Sequence, residues 1–143
     1  MTHVQRSAIV PYTPEQMYAL VADVERYPEF LPWCNGAVTL ARDANGVTVS
    51  LSLSRGPAHA RFTTRNTLEP PSQVTMHLVD GPFESLEGHW RFQRIGDAGS
   101  RVSLDLSFRM KHALAGLLLG RAFEKSCDQL VDSFCRRAAQ VYG

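Results

Sequence analysis

The stretch KHALAGLLLGRAFEKSCDQLVDSFCRRAAQVY, Lys111 to Tyr142, decides the fold. Its apolar residues Leu114, Leu117, Leu118, Ala122, Phe123, Cys127, Leu130, Val131, Phe134, Cys135, Ala138 and Val141 recur mostly at steps of three and four. That spacing lays them along one broad stripe of an α-helix. Glu124, Lys125, Asp128, Asp132, Arg136, Arg137 and Gln140 take the opposite face. No proline interrupts the run. The reading is therefore one amphipathic helix, roughly 45 Å long at about 1.5 Å rise per residue. Such a helix needs an apolar surface to cover its stripe. The chain upstream reads mostly as strands, so that surface is expected to be a sheet.

Upstream, Val4 to Val10 is a β-compatible run ended by Pro11. Thr13 can cap a helix, Pro14 suits its first position, and Gln16 completes a capping box. Met17, Leu20 and Val21 give this helix an apolar face, and it is expected to end near Asp23. A second short helix follows around Val24 to Tyr27, closed by Pro28. The segment Tyr27-Pro28-Glu29-Phe30-Leu31-Pro32-Trp33-Cys34 is too rigid for a linker and too broken for a strand. It reads as a hydrophobic corner plugging one end of the core, or as the rim of a ligand pocket; the two are compatible.

From Val38 the pattern changes to period two. Val38 and Leu40 alternate with Thr39, and Asn45-Gly46 signals a hairpin. Val47, Val49, Leu51 and Leu53 alternate with Thr48, Ser50, Ser52 and Ser54. Further strands follow at His59 to Leu68, around Val74, Met76 and Leu78, around Leu86, Trp90 and Phe92, and from Val102 to Met110. Short turns join them, so the strands form an antiparallel meander, apolar on one face and covered on one side. The expected architecture is α+β: one domain over residues 1–143, a curved antiparallel sheet around a long C-terminal helix.

With 143 residues and a formal net charge of +1, the chain lacks the strong field that DNA binding or a general attraction to anionic lipid asks for. The three cysteines, Cys34, Cys127 and Cys135, form no CxxC pair. Cys127 and Cys135 lie roughly 12 Å apart on the helix, too far for a disulfide. Free thiols in a reducing cytoplasm are the natural reading. The N-terminal residues do not resemble a secretory signal, and no apolar run reaches membrane-spanning length.

A curved sheet does not close flush on a straight helix. The space between them would be lined by Leu51, Leu53, Phe62, Met76, Leu78, Trp90, Phe92, Leu106, Phe108, Phe123, Cys127, Leu130 and Phe134, suiting a lipid-like ligand. Alternation alone favours the alternative, a core packed solid. Catalytic signals are poor. His3, His59, His77, His89 and His112 form no metal-ligand spacing, and no nucleophile elbow, Walker loop or dinucleotide fingerprint is present. Glu84 and Glu87 read as solvated charges, and Thr64 and Asn66, the expected buried polar groups, are poor acid–base groups. Arg61, Arg65, Arg91, Arg101 and Arg109 fall on outward strand faces, as a salt-bridged surface or a basic stripe. Ala113 to Gly120 is apolar all round and holds two glycines: a buried helix start, or a movable flap at the mouth of the space.

The stretches Val10 to Tyr18, Asp23 to Cys34, Asp80 to Phe83 and Leu86 to Phe92 together resemble the coenzyme Q-binding and ribosome association toxin branch of the START-like (polyketide cyclase) superfamily. The Tyr-Pro-x-Phe-Leu-Pro-Trp-Cys and Asp-Gly-Pro-Phe blocks are the specific part. The resemblance implies a helix-grip fold with a hydrophobic tunnel, which reverses the preference for a solid core, and it implies no catalysis and no metal. For the mitochondrial members it implies binding of ubiquinone or a related polyprenyl lipid, in support of respiration and quinone synthesis. For RatA-like members it also implies binding of the large ribosomal subunit and a block of subunit association. The weakest alternative is a cyclase-like enzyme. Pattern and resemblance together nominate Tyr27, Phe30, Leu31, Pro32, Trp33, Leu53, Phe62, Met76, Leu78, Pro82, Phe83, Trp90, Phe92, Phe108, Phe123 and Leu130 as the ligand-binding set. The expected setting is the cytoplasm, with a peripheral contact at the inner membrane.

Overall fold

A computed structural model describes residues 1–112 and 116–143. Strand β1 (Thr2–Val10) is followed by helix α1 (Pro14–Ala22) and a 3-10 segment (Val24–Glu29). Six strands come next: β2 (Cys34–Arg42), β3 (Gly46–Arg55), β4 (Ala58–Glu69), β5 (Gln73–Asp80), β6 (Phe83–Ile95) and β7 (Gly99–Met110). Helices α2 (Gly116–Asp128) and α3 (Leu130–Tyr142) close the chain. The sheet order is β1-β7-β6-β5-β4-β3-β2, antiparallel throughout, as a meander requires. Register shifts in β2–β3, β4–β5 and β6–β7 bend the strands locally. The sheet curls round the C-terminal helices, which is the helix-grip arrangement. Among the described residues no helix is long and apolar enough to cross a membrane.

The capping box forms as its residues predict. Gln16 N donates to Thr13 Oγ1 at 3.1 Å, and Thr13 N donates to Gln16 Oε1 at 2.8 Å. Pro14, Met17 and Val21 are buried on the inner face of α1. The Tyr142 hydroxyl donates to the Gln16 carbonyl at 2.9 Å and pins the end of α3 onto α1.

The single long helix expected from the stripe is two helices. The break falls at Gln129, with no proline or glycine to announce it. Ser126 Oγ turns back to the Ala122 carbonyl at 2.8 Å, a bond that competes with the helix ladder. Gln129 N then bonds the Ser126 carbonyl at 3.2 Å, a tighter 3-10 closure. Arg6 holds Asp128 at 2.8 Å and Arg55 holds the Gln129 side chain at 3.2 Å, so the end of α2 and the break itself are tied to the sheet. The break lets the pair follow the curl. One cost is that the stripe is not buried along its whole length. Leu117 and Leu118 are 55% and 54% exposed, and Val141 is exposed as well. Lys111 and His112, the expected start of the helix, are not helical, and Leu114 lies outside the described residues.

Strand β2 also departs from expectation. Its register pairs Ala37 with Leu51 and Thr39 with Val49, so these face inward, while Val38 and Leu40 stand on the outer face. Gly46 has a further reason to be glycine besides the turn. A Cβ there would sit 2.1 Å from the Asn66 carbonyl oxygen. The turn itself is held by Asp43, which accepts from Asn45 N at 2.8 Å and Gly46 N at 3.1 Å and pairs with Arg65 at 2.8 Å.

Phe134 is fully buried on α3, where the rings of Tyr27 (5.3 Å), Phe30 (5.1 Å) and Trp90 (5.3 Å) meet it edge-on. Phe134→Ala is expected to cost about 3–5 kcal/mol. Thr13→Ala removes the cap for about 1 kcal/mol, which lowers the thermal midpoint by about 3 °C. Thermal unfolding followed by circular dichroism checks both; equal small shifts for the two variants would contradict this ranking.

Candidate functional site

The sheet register explains where space is left. Val47, Asn66, Met76, Gly88, Leu106 and Val4 pair in turn across six strands and form one inward-facing row. The middle of that row carries a flexible methionine and, at Gly88, no side chain at all. A Cβ on Gly88 would lie 2.5 Å from the Met76 Cε and 3.4 Å from a Leu106 methyl. The methionine end therefore occupies the ground the glycine leaves.

Two aromatic clusters stand at either end of this row. At one end Phe62, Phe83, Phe108 and Phe123 pack edge to face, with centroids 4.8–6.0 Å apart. At the other stand Tyr27, Phe30, Trp90 and Phe134. Between them lies an apolar hollow. Much of it is narrow, and only about 60 Å³ admits the centre of a water molecule.

Of the sequence-nominated residues, Tyr27, Trp33, Phe62, Met76, Trp90, Phe123 and Leu130 line the hollow. Leu31, Leu53, Phe83, Phe92 and Phe108 are buried in the wall behind it. Phe30 and Leu78 are partly buried and reach the core without lining the hollow. Pro82 is half-buried at the β5–β6 turn, and Pro32 is exposed. The corner formed by residues 27–34 serves as plug and wall together, since Tyr27 and Trp33 face the hollow while Leu31 is 1% exposed. Arg137 clamps this corner from α3, its guanidinium 5.0 Å from the Phe30 ring centre and 2.7 Å from Glu29.

Sequence reasoning missed Val24, Val49, Leu86, Gly88 and Ser126 as lining residues. Gly88 was the findable one. It occupies an inward position between Leu86 and Trp90, where alternation calls for a large side chain. Ser126 sits on the apolar stripe, where a small polar residue reads as an interruption.

The polar groups on the wall are few. Thr64 and Asn66 are 4% and 5% exposed, and Thr64 Oγ1 donates to Asn66 Oδ1 at 2.7 Å. The buried Tyr27 hydroxyl donates to the Val21 carbonyl, and burial holds its pKa far above the ordinary tyrosine value. Burial, reinforced by Asp128 and Glu124, likewise raises the Cys127 thiol. Among the described residues no carboxylate, imidazole, lysine or arginine lines the hollow. On the outer face of the sheet, His77 and His89 flank Glu87 at 3.8 and 3.9 Å, and His3 meets Asp105 at 2.9 Å, all outside the hollow.

Residues 10–135 match the family described as "Polyketide cyclase / dehydrase and lipid transport". The chain is 42% identical over 142 residues to the ribosome association toxin RatA of Pseudomonas aeruginosa, covering 99% of each. It is 31% identical over 141 residues to the mitochondrial coenzyme Q-binding protein COQ10 homolog B of Xenopus laevis, covering 96% of this chain and 58% of that one. Among solved structures, the 18 kDa protein CC1736 of Caulobacter crescentus superposes with a TM-score of 0.78 at 30% identity, covering 100% of this chain and 99% of that one. The ZhuI aromatase/cyclase of a Streptomyces species superposes with a TM-score of 0.87 at 16% identity, over 99% and 96% of the two chains, and shares the fold. With the helix-grip fold, the aromatic corner and full-length relatives in agreement, the chain belongs to the polyketide cyclase / dehydrase and lipid transport family, in the branch of RatA and the coenzyme Q-binding proteins.

Proposed function

We propose that this chain binds a hydrophobic, lipid-like molecule without transforming it, and that ubiquinone or a related polyprenyl quinone is its ligand. The observation that carries the reading is the hollow itself: an apolar space between two aromatic clusters, floored by Gly88 and Met76. The name of the coenzyme Q-binding relative supports the choice of ligand.

At about 60 Å³ the open part of the hollow is far smaller than the roughly 300–1,000 Å³ typical of ligand pockets. Loading therefore needs side chains to move, and Met76 is suited to it, being unbranched with rotatable bonds throughout. The exposed Leu117 and Leu118 stand on α2 beside an open groove at Met110 and Gly116. This exposed apolar edge is the place suited to touch a bilayer. Against a catalytic role stands the wall chemistry. Tyr27 and Cys127 are held protonated at neutral pH by burial, and a thiol is a weak nucleophile until it ionises.

A second reading has its own support: action on the large ribosomal subunit, as the name of the 42% identical relative indicates for that protein. The outer sheet face offers Arg61, Arg91 and Arg101, all exposed and with no carboxylate within ion-pair distance among the described residues. A phosphate backbone is a suitable partner for such a face.

Three outcomes are expected. Organic extraction of the purified protein yields an isoprenoid quinone by mass spectrometry, and Gly88→Leu, which fills the floor, lowers loading more than tenfold while the circular dichroism spectrum stays native. Extracts free of any quinone or other lipid would remove the reading. Iodoacetamide at pH 7.5 leaves Cys127 unmodified in the folded protein and labels it after denaturation, as peptide mapping will show; rapid labelling of the native thiol would contradict its assignment as inert. For the second reading, the protein cosediments with large subunits in low salt, and Arg91→Glu with Arg101→Glu abolishes this whereas Gly88→Leu does not. Absence of cosedimentation at any salt concentration would count against ribosomal action.

A further inference from the structure

We propose that the Asn66 amide is the polar anchor of the hollow, and that the ligand is an apolar molecule presenting a carbonyl-type hydrogen-bond acceptor to it. This inference rests on the ligand-binding reading above. It adds which end of the ligand lies inside and which atoms hold it.

Asn66 stands in the central row with Met76 and Gly88 and lines the hollow. It is 5% exposed. An amide offers two N–H donors and one oxygen with two lone pairs. The oxygen accepts from the Thr64 hydroxyl at 2.7 Å, and among the described residues no group accepts from the nitrogen. Thr64 thereby orients the amide, and its own proton is committed. Ser126 Oγ spends its proton on the Ala122 carbonyl, and the Tyr27 hydroxyl spends its proton on Val21. The hydroxyl groups on the wall are thus turned away as donors, which leaves the amide nitrogen and two indole N–H groups; the Asn66 variants below separate these. Trp33 and Trp90, each with one indole N–H, line the same hollow.

The enclosed side-chain polar atoms without a partner among the described residues are Ser85 Oγ and Ser100 Oγ, not Asn66 Nδ2. The amide nitrogen faces open space, and a ligand that supplies an acceptor there takes the place of water. The polar head then lies inward beside Met76 and Gly88, and an apolar tail runs outward. The groups involved are uncharged, so recognition of this kind does not depend on pH near neutrality.

Menadione and 2-methylnaphthalene provide the test. They share a fused-ring skeleton and differ in the two quinone carbonyls. The hydrocarbon is the more hydrophobic, so burial alone favours it; tighter binding of the quinone must come from polar contact. Equilibrium dialysis is expected to show menadione bound about three- to tenfold more tightly by the wild-type protein, the range one neutral hydrogen bond supplies. In Thr64→Val with Asn66→Leu, which removes both partners at similar volume, that preference is expected to disappear while methylnaphthalene still binds. Asn66→Ala, which adds no bulk, serves if the double variant does not fold. Equal binding of the two probes by the wild type, or a preference that survives in a folded variant, overturns the anchor and leaves the ligand-binding reading standing. Binding of neither probe removes that reading and the anchor with it.

Discussion

Phe134 is the contact on which the rest of the molecule leans. Its ring sits at the meeting point of α3, the aromatic corner and β6, and the rings of Tyr27, Phe30 and Trp90 all turn their edges toward it. Such pairs add about 0.5–1.5 kcal/mol each beyond the area they bury. The corner is fixed from outside by Arg137, and Tyr27 reaches on to the end of α1. One residue therefore couples the C-terminal helix, the proline-rich corner and the sheet. With that end of the core locked, the sheet can curl away from the helix pair further along without losing its cover.

The price of the curl is an unfilled row. A void of about 60 Å³ costs on the order of 1–1.5 kcal/mol. Ordinary cores close such gaps with a larger side chain. Here Gly88 leaves one open and Met76 fills it only with the end of a flexible chain. Close packing elsewhere in the core makes this a local departure rather than a loose interior. Val102, Met17, Phe134 and Ala138 are all fully buried.

Much of the architecture was legible in the residues. Period-two alternation located the strands from β3 onward, and Thr13 to Gln16 announced the cap of α1 with its actual hydrogen bonds. The dense block at residues 27–34 was correctly read as a plug. What escaped reading had physical reasons. The helix break at Gln129 is produced by a serine bonding backward and by two arginines that hold the end of α2 and the break itself from the sheet, none of which is visible in a local window. Val38 and Leu40 look like core residues by alternation, yet the bulged register of β2 turns them out. The nominated ligand set divides into residues that line the hollow and residues one layer behind, because alternation gives the inward face of a strand but not the depth at which each residue stands. Phe83 and Phe108 face inward and still lie behind Phe62 and Phe123.

The interruption at Gln129 also divides the C-terminal region into two units with different anchors. Helix α3 is held by Phe134, by Arg137 on Glu29 and by Tyr142 on α1. Helix α2 begins against Met110 through Gly116 and Gly120, at close backbone approach but with Leu117 and Leu118 in solvent. Local opening follows the density of such anchors. Amide protons of α2 are therefore set to exchange with solvent well ahead of those of α3, so that one half of the grip can loosen while the other keeps hold of the sheet.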